Sequence, residues 1–153
     1  MMDKIRNRTQ PTRLRQKQGE TIQGCSSAQH PWLSFCYMTA NKSHSLQFLD
    51  GLDTTERERT LGGLLFRLEE LSRFPWLHWM ENRKNIGLET IPFDSLRFAP
   101  SQKANLTKDT TLYIFRFDTY QGNGKGRIIG FKRSPCAAYH IIGYDFNFTA
   151  YPH

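Results

Sequence analysis

Basic, imidazole and phenolic side chains crowd the last third of this chain. Residues 112 to 153 read LYIFRFDTYQGNGKGRIIGFKRSPCAAYHIIGYDFNFTAYPH. Arg116, Lys125, Arg127, Lys132, Arg133, His140, Tyr151 and His153 fall there, and Glu89 lies upstream. An arginine can hold two phosphate oxygens at once, and a histidine moves protons near neutral pH. These types suit anion binding and proton transfer, provided the fold brings them together. In an extended chain side chains alternate between faces. Arg127, Ile129 and Phe131 then share one face, and Ile128, Gly130 and Lys132 share the other. His140, Ile142 and Tyr144 share a face of the following strand.

The elements that must position them are strands. Leu112 to Phe117, Arg127 to Phe131 and Ala138 to Tyr144 are β-branched and aromatic runs. Gly122-Asn123-Gly124 and Ser134-Pro135 separate them, which predicts an antiparallel meander. Upstream, Trp32 to Tyr37 alternates aromatics with small residues and suits a first strand. Ser45 to Leu52 suits a short helix. Asp53-Thr54-Thr55 offers N-caps, and Thr55-x-x-Glu58 has the form of a capping box. Leu61, Leu64, Leu65, Leu68 and Leu71 recur at helical spacing, so a helix is predicted from about Thr55 to Ser72. Gly62 and Gly63 interrupt it, either to admit another backbone or to mark a break. Phe74-Pro75 ends it. Trp76 and Trp79, three apart, read as core. Gly87 to Pro92 looks extended, with the proline at a strand end or edge. Pro100 to Asp109 reads as a polar connection. The expected architecture is α+β, with N-terminal helices packed on a small curled antiparallel sheet.

Composition bounds the function classes. The 153 residues suit one domain with a tail, and 13% aromatics argue for a folded core. The formal charge is +7, of which residues 1–20 supply +4, so the rest is only mildly basic. Residues 1–28 are expected to be a disordered basic tail, or an arm that folds on RNA or protein, with residues 29–153 as a single domain. No stretch suits a transmembrane helix or a secretory signal. Cys25, Cys36 and Cys136 suggest neither a disulfide framework nor a zinc site, so a reduced cytoplasm is the expected setting. The chain carries no phosphate-binding loop, dinucleotide fingerprint, zinc-protease motif or nucleophile elbow. The five histidines lack ligand-like spacing, so no metal or cofactor is expected.

Leu112-Tyr113-Ile114-Phe115-Arg116-Phe117, then Arg127-Ile128-Ile129-Gly130-Phe131, then Tyr139 to His153 resemble the sheet of the RelE/ParE superfamily of bacterial toxins, its YoeB-like ribonucleases above all. The resemblance covers about half the chain. It implies a toxin of a toxin–antitoxin system: a cytoplasmic, metal-independent endoribonuclease that cleaves mRNA on the ribosome and is held by a cognate antitoxin protein, with no membrane role. By motif, Arg127 matches the family's catalytic arginine and Glu89 its carboxylate before the sheet. Tyr151 and His153 fall near its terminal His–Tyr pair, and His140 joins them as a candidate acid or base. Arg116, Lys125, Lys132 and Arg133 would contact RNA. The chain departs from the family in its length and in residues 145 to 153, which run past the expected final strand. Each residue also has a plain structural reading: Arg127 in a cross-strand ion pair, Glu89 as a solvated carboxylate, His140 as a satisfied sheet histidine, His153 as a frayed end. A non-catalytic binding or inhibitor module of a mobile element or defence system, acting on a protein or nucleic-acid partner, is the alternative.

Overall fold

A computed structural model describes residues 30–153. The expectation of a disordered basic tail over residues 1–28 lies outside the described residues. A five-stranded sheet in the order β1-β5-β4-β3-β2 organises the rest. Its strands are β1 (Trp32–Ser34), β2 (Leu88–Pro92), β3 (Thr111–Thr119), β4 (Gly122–Lys132) and β5 (Ala138–Asp145). Strands β2 to β5 form the antiparallel meander, and β1 pairs with β5 in parallel.

This corrects the expected architecture. The sheet is mixed and five-stranded, and its first strand precedes the helices, so the picture of N-terminal helices on a small antiparallel sheet does not hold. The reason is a long-range pairing: Trp32, Leu33 and Ser34 sit beside Ala138, Tyr139 and His140. Strand periodicity carries no trace of which distant partner a strand takes.

The main helix α1 (Thr54–Arg73) starts one residue early. Asp53 is the N-cap, and the capping box is Asp53 with Glu56, not Thr55 with Glu58. Asp53 Oδ1 accepts from the Glu56 N–H at 2.8 Å, and Glu56 Oε2 accepts from the Asp53 N–H at 3.3 Å. Two short helices follow, α2 (Trp76–Glu81) and α3 (Arg83–Ile86). Gly63 is where α1 meets the sheet: a Cβ there would lie 2.1 Å from the Asp118 carbonyl oxygen. Gly62 faces open space. The helix is unbroken across both.

The sheet has two covered faces. On one, Leu64 and Leu71 of α1 and Trp76 and Trp79 of α2 pack on Phe115, Phe117, Ile128, Tyr139, Ile141 and Tyr144. Both tryptophans are core, as their spacing suggested. On the other, Phe98, Ala104, Ala150 and Tyr151 cover Leu112, Ile114, Ile129, Phe131 and Ile142.

Two register details depart from the sequence pattern. The turn between β3 and β4 is Tyr120-Gln121, and Gly122-Asn123-Gly124 lies inside β4 rather than breaking the chain. Glycines with φ 138° at Gly122 and 64° at Gly124 let the strand bend there, and Asp118 Oδ1 accepts the Gly124 N–H at 2.7 Å. The second departure is in β5. Ile129 pairs with Gly143 while Gly130 pairs with Ile141, so Ile142 is an extra residue. Beyond this bulge the faces switch: Ile142 packs in the cluster opposite α1 and Tyr144 in the cluster beneath it. His140, Ile142 and Tyr144 therefore do not share one face.

Cys36 is a free, exposed thiol and Cys136 is disulfide-bonded. The disulfide at Cys136 departs from the expectation that the cysteines form no disulfide framework. Among the described residues no helix is long and apolar enough to cross a membrane.

Candidate functional site

The face opposite α1 ends in a charged cluster. Arg116 on β3 and Arg127 on β4 are direct cross-strand partners. They continue the rows of Ile114 and Ile129, so alternation sends both toward the same side. Glu89 on β2 stands beside Ile114 and joins them. The turn that feeds β2 is set by Gly87 at φ 73°, and the Arg116 stem lies against it.

The carboxylate of Glu89 is the hub. Its Oε1 accepts from Arg116 Nε at 2.6 Å and also meets Arg116 Nη2. Arg127 Nε lies 3.7 Å from the same oxygen. The Tyr151 hydroxyl donates to Glu89 Oε2 at 3.1 Å and accepts from Arg127 Nε at 3.2 Å. Burial pushes the Tyr151 hydroxyl up to about 12, and the Glu89 charge adds to this while Arg127 opposes it. At neutral pH the phenol is thus a protonated donor.

Arg127 is only 5% exposed. Its Nη1 donates to the carbonyls of Gly124 at 2.8 Å and Gly126 at 3.2 Å. The ring of Phe148 lies 4.7 Å from its guanidinium carbon. Lys125 Nζ lies 5.6 Å from that ring, and His153 packs on the rings of both Phe148 and Tyr151, at 5.2 and 4.6 Å. Arg116 is the open partner: about half of its side chain is exposed.

So the fold gathers Glu89, Arg116, Lys125, Arg127, Tyr151 and His153. It does not gather His140, Lys132 or Arg133, which lie toward the other end of the sheet. His140 Nδ1 pairs with Ser34 Oγ at 3.0 Å, and its ring stacks on Phe131 at 5.0 Å. Its imidazole is held below the ordinary range by burial first and Arg133 second. It has the contacts of a satisfied sheet histidine and stands apart from the Arg127 cluster. Lys132 lies over Trp76 beneath the helices, and Arg133 donates to the Ala104 carbonyl. Both belong to local packing rather than to the Arg127 cluster.

Two residues that build the site escaped the sequence reading. Asp145 is fully buried, and its carboxylate accepts the backbone N–H groups of Asn147, Thr149 and Ala150 at 3.3, 3.0 and 3.1 Å. These bonds fold the chain after β5 back over the sheet and seat Tyr151 against Arg127. Phe148, at φ 61°, takes the left-handed conformation there, at a cost of about 1–2 kcal/mol for a side chain with a Cβ. The available signal was a lone carboxylate inside the apolar run Tyr144-Asp145-Phe146. Among the described residues no group of three or more His, Cys, Asp or Glu could hold a metal ion.

Compared with protein-family models, with curated proteins and with solved structures, the chain matches none. The likeness to RelE/ParE toxins therefore rests on the short motifs in residues 112–153.

Proposed function

We propose that this chain is a toxin-like, metal-independent endoribonuclease whose site is Glu89, Arg116, Arg127, Tyr151 and His153. The observation that carries the reading is their convergence: residues from β2, β3, β4 and the terminal segment meet around one carboxylate. Cleavage by the neighbouring 2′-hydroxyl needs a base, a cation for the added phosphorane charge, and an acid for the leaving oxygen. Glu89 takes the 2′-hydroxyl proton as O2′ bonds to phosphorus. Arg116 holds the non-bridging oxygens from the solvent side. Arg127, behind it, holds Tyr151 and Glu89 in place. His153 gives its proton to the departing 5′-oxygen, leaving a 2′,3′-cyclic phosphate and a 5′-hydroxyl.

Ribosome-bound mRNA as substrate, a cognate antitoxin as partner and a cytoplasmic setting go with this reading. The disulfide at Cys136 pulls the other way, toward an oxidising compartment. A second reading, a non-catalytic module that binds a protein, is favoured by the apolar surface of α1, where Leu65 is 56% and Phe66 62% exposed.

A purified translation system with mapped mRNA 5′ ends tests the choice. The proposal expects cuts that fall by about 10²-fold or more in Arg116→Ala, the scale of removing one donor to a developing oxyanion. Arg127→Lys is expected to lose most activity, because an ammonium cannot reproduce the guanidinium fork. Intact message at saturating protein leaves the binding module as the answer.

A further inference from the structure

Arg116 and Arg127 are directly opposed across β3 and β4, a placement that is repulsive for like charges. Arg127 is also nearly buried, and a buried cation needs a counter-charge close by. Glu89 supplies it: one of its oxygens faces both guanidinium groups. Two arginines facing this one carboxylate leave the cluster net positive, with Glu89 occupying the place an anion would take. A phosphodiester carries the same single charge and presents paired oxygens suited to the same fork.

We infer that Glu89 is an internal anion seated where an RNA phosphate binds, and that substrate takes the seat by exchanging with it at Arg116. This rests on the ribonuclease reading and deepens it. Arg116 is the side open to solvent, so exchange begins there. The Tyr151 hydroxyl holds the second carboxylate oxygen at 3.1 Å and keeps Glu89 beside the seat once it is displaced. A carboxylate released from an arginine is a stronger base. Phosphate binding and activation of the base are therefore one event, and Glu89 opposes ground-state binding while serving the reaction.

The test is affinity, read apart from cleavage. A short single-stranded RNA with 2′-O-methyl riboses cannot be cut and is titrated by fluorescence anisotropy. Glu89→Gln is expected to bind it about tenfold tighter, the scale of one charge-assisted hydrogen bond no longer in competition. Glu58→Gln removes the same charge from α1, on the opposite side of the sheet, and is expected to change affinity less than about twofold, since exposed charges are screened. Equal effects of the two substitutions overturn the inference. Should Glu89→Gln fail to fold, Tyr151→Phe decides: it keeps the charge and loosens the seat, so tighter binding supports exchange, and unchanged or weaker binding overturns it. Inorganic phosphate is titrated in parallel, and a gain confined to it overturns the assignment to RNA. Message left intact by the wild type in the purified translation system, with Glu89→Gln still binding tighter, sinks the nuclease reading while exchange stands. Cleavage by the wild type without tighter binding by Glu89→Gln does the reverse.

Discussion

Three tyrosines lie deep enough to titrate late. Burial holds the hydroxyls of Tyr144 and Tyr151 up to about 12, and Tyr139, between the sheet and Trp76, is raised well above the ordinary 10.0. The unfolded chain releases these protons first. Between pH 10.0 and about 12 it therefore binds fewer protons than the folded state, and stability falls as pH rises through that window. Below pH 10.0 the contribution is complete. An absorbance titration of tyrosinate should show these groups ionising together with unfolding. In Tyr151→Phe the alkaline loss should be shallower, because Tyr144 and Tyr139 still contribute, and a denaturant midpoint that declines as steeply as wild type would contradict the assignment. Asp145 matters at the same scale: its three backbone bonds place Tyr151, and it is the cross-strand partner of Arg127 on β4.

At the scale of elements, α1 is held to β3 by backbone proximity as much as by its leucines. Gly63 allows the Asp118 carbonyl to come close, and the Thr60 hydroxyl accepts the Tyr120 N–H at 3.1 Å. The neighbouring glycines should then respond in opposite directions. Gly62→Ala, in open helix, is expected to stabilise by about 1 kcal/mol, and Gly63→Ala to destabilise by roughly 2–3 kcal/mol through overpacking. Chemical denaturation of both variants measures this, and equal signs would refute the packing. The leucine repeat predicted the helix, but nothing local told the two glycines apart. One meets a strand and the other meets water.

Across the whole molecule the sheet is unevenly tied. Strand β4 is paired on both sides, whereas β1 is three residues long and pairs on one. Native-state hydrogen exchange should find the amides of Ile128 to Phe131 opening only with global unfolding, and those of β1 well before it. Slow exchange in β1 would mean that this edge is covered in solution. The two ends of the sheet also differ in kind. One carries the arginine pair and the terminal segment, and the other carries His140, Ser34 and the exposed thiol of Cys36, whose Sγ lies 2.9 Å from Ser34 Oγ.

Local pattern was enough for part of this. Alternating aromatics located β3, β4 and β5, leucine spacing located α1, and Pro75 its end, because these depend on residues a turn or a pleat apart. The same stretch named Arg116, Lys125, Arg127, Tyr151 and His153, which the fold draws toward Glu89. Tertiary structure alone decided the rest. It joined β1 to β5, inserted Ile142 as a bulge that sent Tyr144 to the other face, and carried His140, Lys132 and Arg133 away from Arg127. It also buried Arg127 under Phe148, with Asp145 holding the turn. Each outcome depends on a partner distant in sequence. A pairing register or a counter-charge exists only once those partners meet, so no local spacing encodes it.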